Sequence, residues 1–226
     1  MVTLALLHTS TAHVPVFDAL RDADHPGLAL RHFVHEDLLA RARAEGPDAV
    51  ADAVRAALVE AAAGGADAVL CTCSTIGGVA ESHAAAVGVP VLRVDRPMAA
   101  AAVRAGSSVA VVATVASTLE PTSALVAEEA ARAGRPVDVR TALVDGAWER
   151  FEAGDRERFL RLVADAVEGI AGSVDAVVLA QASMADAADR ATTAVPVLAS
   201  PRTGLRAAAR LCGPRRPEPA VDQPQA

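Results

Sequence analysis

Apolar residues in this chain fall into two patterns. Short unbroken runs such as Ala5-Leu6-Leu7 and Ala68-Val69-Leu70 alternate with longer stretches in which apolar positions recur every three or four residues. Unbroken runs suit strands buried on both faces, and the wider spacing suits amphipathic helices. Strands are therefore expected at 2–7, 28–34, 68–72, 90–94, 108–113, 137–143, 176–179 and 197–199. Helices are expected at 14–21, 36–45, 48–63, 77–87, 97–105, 118–133, 155–170, 184–192 and 201–211, with a short one carrying Trp148 and Phe151. In the 48–63 segment, Val50, Val54, Ala57, Leu58 and Ala61 share one face, and Gly64-Gly65 ends it. Strands alternating with helices predict an α/β fold built on parallel sheets.

The pattern runs twice. Asp67-Ala-Val-Leu returns as Asp175-Ala-Val-Val, an offset of 108 (67 to 175). Pro90-Val91-Leu92 returns as Pro196-Val197-Leu198, and Arg96 as Arg202, both at 106 (90 to 196, 96 to 202). Ala5-Leu-Leu-His-Thr9 returns as Ala110-Val-Val-Ala-Thr114 at 105 (5 to 110). Two pseudo-symmetric α/β halves follow, with a ligand cleft between them at the strand C-termini, where open α/β sheets bind ligands. The first half is read as 1–96 with 201–212, the second as 97–200. Residues 213–226, rich in proline and poor in apolar residues, are read as a disordered tail. In this register Cys73 corresponds to Gln181.

Composition narrows the chemistry. The 226 residues are 52% hydrophobic with a net charge of −7, which suits a packed core and disfavours nucleic acid as a partner. No apolar run is long enough for a membrane span, and the start lacks the basic region of a signal peptide, so a cytoplasmic protein with no membrane partner is expected. All 21 basic residues are arginine. Without lysine there is no pyridoxal Schiff base and no P-loop lysine. Tyrosine is absent as well, leaving Cys, His, Asp and Glu for acid–base work. Cys71-Thr72-Cys73 has ligand character, but no second pair completes a zinc set, so neither metal nor cofactor is expected.

The candidate chemistry sits where strands end. Cys73 follows the 68–72 strand, with Ser74 and Thr75 after it. Cys71 lies deeper on the same strand and suits core packing, and Cys212 is read as incidental. His8, Thr9 and Ser10 close the first strand, Thr114 the fifth, and Gln181 and Ser183 follow the seventh. His8 titrates in the range a proton carrier needs, and its alternative is a bond to a backbone carbonyl. Hydroxyls and free amides at strand ends can hold a carboxylate or cap the next helix. His13, His25, His32, His35 and His83 are read as surface or structural. Arg96 is read as a salt-bridge partner.

The layout and the Thr72-Cys73-Ser74-Thr75 turn resemble the aspartate/glutamate racemase superfamily. Its members are two-fold α/β pseudo-repeats with one catalytic cysteine per half, in turns like A-C-N-T and G-C-T-H. The resemblance implies a cofactor-independent enzyme that moves a proton at the carbon alpha to the carboxylate of a small acid, racemising or isomerising it. It implies Cys73 as the catalytic thiol, and Thr9 and Thr114 as turns that hold the carboxylate. Members of the superfamily are often dimers, so the resemblance leaves room for a homodimer. Ala180-Gln181-Ala182-Ser183 stands where the second cysteine motif belongs, and an amide does not titrate. His8 is then the candidate second proton carrier. Two other readings follow from the departure: a single-cysteine decarboxylase of a malonate-type acid, and a relative that binds small carboxylates without turnover.

Overall fold

The computed structural model describes residues 2–212; the tail expected at 213–226 lies outside them. The first sheet contains β1 (Thr3–His8), β2 (Ala29–Val34), β3 (Ala68–Cys71) and β4 (Val91–Arg93), in the order β2-β1-β3-β4. The second contains β5 (Ser108–Ala113), β6 (Asp138–Leu143), β7 (Ala176–Leu179) and β8 (Val197–Ala199), in the matching order β6-β5-β7-β8. All pairings are parallel. Leu7 pairs with Cys71 in one sheet and Val112 with Leu179 in the other, so the ladders carry the offsets of 105 (7 to 112) and 108 (71 to 179). The α/β class and the two pseudo-symmetric halves stand as read from the sequence.

The repeated aspartates explain their own recurrence. Asp67 Oδ2 accepts the Thr3 amide at 2.8 Å, and Asp175 Oδ2 accepts the Ser107 and Ser108 amides at 2.7 and 2.9 Å. Each fastens the entry of one central strand to the entry of its neighbour.

Helices cover both faces, which is why the central strands are apolar throughout. Alternate residues of a strand point to opposite sides. Ala5, Leu7, Val69 and Cys71 pack with α2 (Glu36–Glu45), α3 (Ala51–Ala63) and α4 (Ser74–Ser82). Leu4, Leu6, Ala68 and Leu70 pack with Phe17 of α1 (His13–Asp24) and with Leu205 and Ala208 of the last helix (Ser200–Leu211). After α5 (Ala84–Val87) and β4, helix α6 (Arg96–Ala105) crosses to the second sheet and joins α7 (Leu119–Arg132) on one face. Helices α8 (Ala147–Glu152) and α9 (Arg156–Ala171) cover the other face. The last helix, α10, returns to the first sheet. Each half thus lends its final helix to its neighbour.

Arg96, at the start of α6, bridges Glu81 of α4 to Glu128 and Glu129 of α7. It is the salt-bridge partner expected. Arg202, its repeat equivalent, pairs with Asp24.

Two elements differ from expectation. The helix expected at 77–87 begins earlier, at Ser74, and breaks near His83. Gly77 lies inside α4, where a Cβ would come within 3.0 Å of the Arg93 Cβ, so glycine makes room for a buried guanidinium rather than a turn. The helix expected at 184–192 is instead a 3-10 segment over Ala182–Ala187. Three-residue hydrogen bonds such as Met184 N to Gln181 O and Ala188 N to Ala185 O tighten it.

Candidate active site

The strand ends of both sheets enclose one cavity of about 90 Å³. From the first half it is lined by Thr9, Ser10, His13, Leu39, Arg43, Thr72, Cys73, Ser74 and Thr75. From the second come Thr118, Trp148, Phe151, Ala180, Gln181, Ala182 and Ser183. Seven of the nine residues singled out from the sequence therefore meet here: Cys73, Thr9, Ser10, Ser74, Thr75, Gln181 and Ser183. Ser74 also ties the halves together, its hydroxyl donating to the Ala180 carbonyl at 3.2 Å.

Cys73 leaves β3 in extended conformation and takes the N-cap position of α4, but makes no capping bond. It is 7% exposed. The amides of the first turn of a helix lack intrahelical partners, so the thiol stands at an electropositive edge. Cys71 lies beneath it, fully buried, with Sγ 3.7 Å from the Cys73 carbonyl. Burial first, and Cys73 next, push its thiol well above the ordinary range. Cys71 is core, as expected.

His8 does not reach the cavity, which corrects its expected place. As the last residue of β1 it falls on the Leu4 and Leu6 side, under α1, where Phe17 lies 5.6 Å from its ring. Its Nδ1 pairs with Thr72 Oγ1 at 2.8 Å and its Nε2 with His32 Nδ1 at 2.9 Å. Burial, then His13 and His32, lower its pKa to about 3. His8 is a neutral strut holding Thr72, itself a lining residue.

The histidine at the cavity is His13, which the sequence reading assigned to surface or structure. It opens α1, three residues after Ser10. Its Nδ1 is buried and has no hydrogen-bond partner among the described residues. Burial lowers its pKa, so the imidazole is neutral near pH 7. Its proximity to the Thr9-Ser10 turn was the available signal, obscured by its place on a polar helix start.

Thr114 also stays behind the cavity wall, which corrects the expectation that it faces ligand. Its amide and hydroxyl donate to Gln181 Oε1 at 2.7 and 2.9 Å, and the Val115 amide adds a third bond at 3.3 Å. The Thr9 and Ser10 amides, by contrast, have no partner among the described residues, and both residues line the cavity.

The mouth was not foreseen. The Arg43 guanidinium carbon of α2 lies 5.7 Å above the Trp148 ring of α8, and Trp148 stacks on Phe151 at 5.0 Å. With one Trp and four Phe in the whole chain, two of these aromatics line the cavity and give it an apolar portion beside the hydroxyl-bearing residues. Among the described residues, no group of three or more His, Cys, Asp or Glu is arranged for a metal, and no helix is long and apolar enough to cross a membrane.

Paired parallel sheets with a thiol turn at their shared cleft define a class of two-lobed α/β proteins. Within that class the chain belongs to the Asp/Glu/hydantoin racemase family, whose model matches residues 7–208. Solved structures agree in fold. Aspartate racemase of Picrophilus torridus is 13% identical, with 94% of this chain and 95% of that one covered and a TM-score of 0.70. Allantoin racemase from Pseudomonas fluorescens is 18% identical over 92% and 90%, with a TM-score of 0.61. An arylmalonate decarboxylase is 19% identical over 95% and 94%, with a TM-score of 0.63. No curated protein matches the chain by sequence.

Proposed function

We propose that the protein is a cofactor-independent enzyme that moves a proton at the carbon alpha to the carboxylate of a small acid, with Cys73 as the thiol that handles it. One observation carries this reading: Cys73 shares a cavity with the Thr9 and Ser10 amides, which have no partner among the described residues. Those donors, with the hydroxyls of Ser74 and Thr75, suit a carboxylate and the dianionic enediolate it becomes.

His13 takes the place first given to His8. Cys73 and His13 line the same cavity without bonding to each other, so the S–H proton reaches the neutral imidazole by way of water in the cavity, leaving thiolate and imidazolium. The thiolate takes the alpha proton, forming S–H as the C–H bond breaks, and the electron pair moves onto the carboxylate oxygens. A proton then returns to the carbon from Cys73 or from His13, and the second route restores the neutral imidazole. Return to the opposite face inverts the centre. Such proton transfers between positioned groups supply roughly 10²–10⁴-fold each.

Gln181 favours a second reading, a single-cysteine decarboxylase of a malonate-type acid, because it offers no second thiol. The two are separated by incubating amino acids, hydantoins and substituted malonates in D2O. Deuterium entering recovered substrate supports proton transfer, and CO2 release from malonates alone supports decarboxylation. Cys73→Ala is expected to lower either rate by at least a hundredfold. Retained activity in that variant overturns the assignment of Cys73.

A further inference from the structure

Three donors converge on one neutral oxygen at Gln181. The Thr114 amide, the Thr114 hydroxyl and the Val115 amide lie 2.7, 2.9 and 3.3 Å from Oε1. All three are donors, so the amide orientation is fixed, with oxygen inward. Its NH2 group has no partner among the described residues, and the residue lines the cavity.

The first half holds the same donors with no side chain accepting from them among the described residues. Thr9 and Ser10 stand at the offset of 105 from Thr114 and Val115 (9 to 114, 10 to 115). Their amides and the Thr9 hydroxyl make no bond among the described residues, and both residues line the cavity. The facing residue in that half is Cys73, too short to cover them. In the second half Gln181 is long enough, and Thr114 and Val115 are sealed from the cavity. Successive backbone N–H groups with a hydroxyl are a receptor for an anionic oxygen. A carboxamide oxygen has the planar geometry of a carboxylate oxygen without its charge.

We infer that Gln181 is a built-in substitute for a ligand carboxylate in the second half. The site therefore selects small acids with one carboxylate, held by Thr9 and Ser10, and rejects acids whose two carboxylates reach both strand ends. This specificity rests on reading the cavity as a carboxylate site. The Gln181 oxygen also marks, through the pseudo-twofold, where the ligand oxygen lies in the first half.

The test uses butyrate and succinate, which match in length and differ by one carboxylate. Isothermal titration of the full chain is expected to give at least tenfold tighter binding of butyrate. Gln181→Ala opens the second nest, and the butyrate-to-succinate preference is expected to fall at least tenfold. Gln181→Glu keeps the nest filled and is expected to keep rejecting succinate. An unchanged preference in Gln181→Ala, or tighter succinate binding by the unaltered protein, overturns the inference while leaving the carboxylate site intact. Binding of neither acid overturns the carboxylate reading and this inference with it. If Gln181→Ala fails to fold, amide NMR of the unaltered protein decides. Butyrate should move the Thr9 and Ser10 resonances and leave Thr114 and Val115 in place; movement of the latter pair overturns the inference.

Discussion

Arg93 grips Asp95 with two parallel hydrogen bonds, Nε to Oδ1 at 2.7 Å and Nη2 to Oδ2 at 2.9 Å, and neither side chain is more than 6% exposed. The same Nη2 reaches the Ser74 carbonyl at 3.4 Å, so this pair supports the cysteine turn from below. Removing one member of a buried pair leaves the other charge unpaired, at a cost of about 3–5 kcal/mol. Asp95→Ala is expected to lose that much in urea unfolding. A paired apolar replacement of both residues should cost less than the two single changes together. A loss below about 1 kcal/mol in Asp95→Ala would contradict the role of the pair.

Acid should weaken the fold through His8. Its folded pKa is lowered to about 3, whereas an unfolded histidine titrates near 6.5. A depressed histidine contributes stability that is fully present above the unfolded value and is lost as pH falls from about 6.5 towards 3. His13, also lowered by burial, acts in the same direction. The contribution of His8 is of order a few kcal/mol, at about 1.4 kcal/mol per pKa unit. Thermal melts of His8→Asn should start lower at pH 7 and depend less on pH across that window. Unaltered pH dependence in the variant would remove His8 from this account.

Trp148 is the only tryptophan in the chain, so its emission reports on the cavity mouth. A carboxylate that fills the cavity should change its intensity. Arg43→Ala removes the cation above the ring, and about 0.5–1 kcal/mol of stability is expected to go with it. The emission maximum should shift in the same variant. Absence of both changes would mean that α2 and α8 do not meet through this contact in solution.

Helix α10 approaches the end of β4 at Gly204, where a Cβ would lie 2.5 Å from the Val94 carbonyl oxygen and 3.0 Å from its Cα. Backbone cannot yield as a flexible side chain does. Gly204→Ala is expected to cost about 1–3 kcal/mol in chemical denaturation, although alanine is the better helix former. A neutral or stabilising result would show that α10 can shift outward freely.

The sheets and their pseudo-twofold were legible because each half repeats the residues that build it. Asp67 and Asp175 were visible as a pair, and both tie strand entries in the same way. The thiol turn was legible from its place after an apolar run. Orientation was not. His8 and His13 differ by five positions, yet β1 carries one away from the cavity while the start of α1 lines it. Thr9 and Thr114 are repeat partners in sequence, but only the length of the side chain facing each decides which is open. Arg43 and Trp148 meet across the halves, and no local pattern encodes a contact between residues 105 positions apart (43 to 148).

The cleft is symmetric in backbone and asymmetric in side chain. At equivalent positions the strand ends present a thiol after β3 in one half and a carboxamide after β7 in the other. The two sides of the cleft are therefore chemically inequivalent although their backbones match. The walls are related by a pseudo-twofold rotation, and one pair of unlike residues, Cys73 and Gln181, sets one side of the chamber apart from the other.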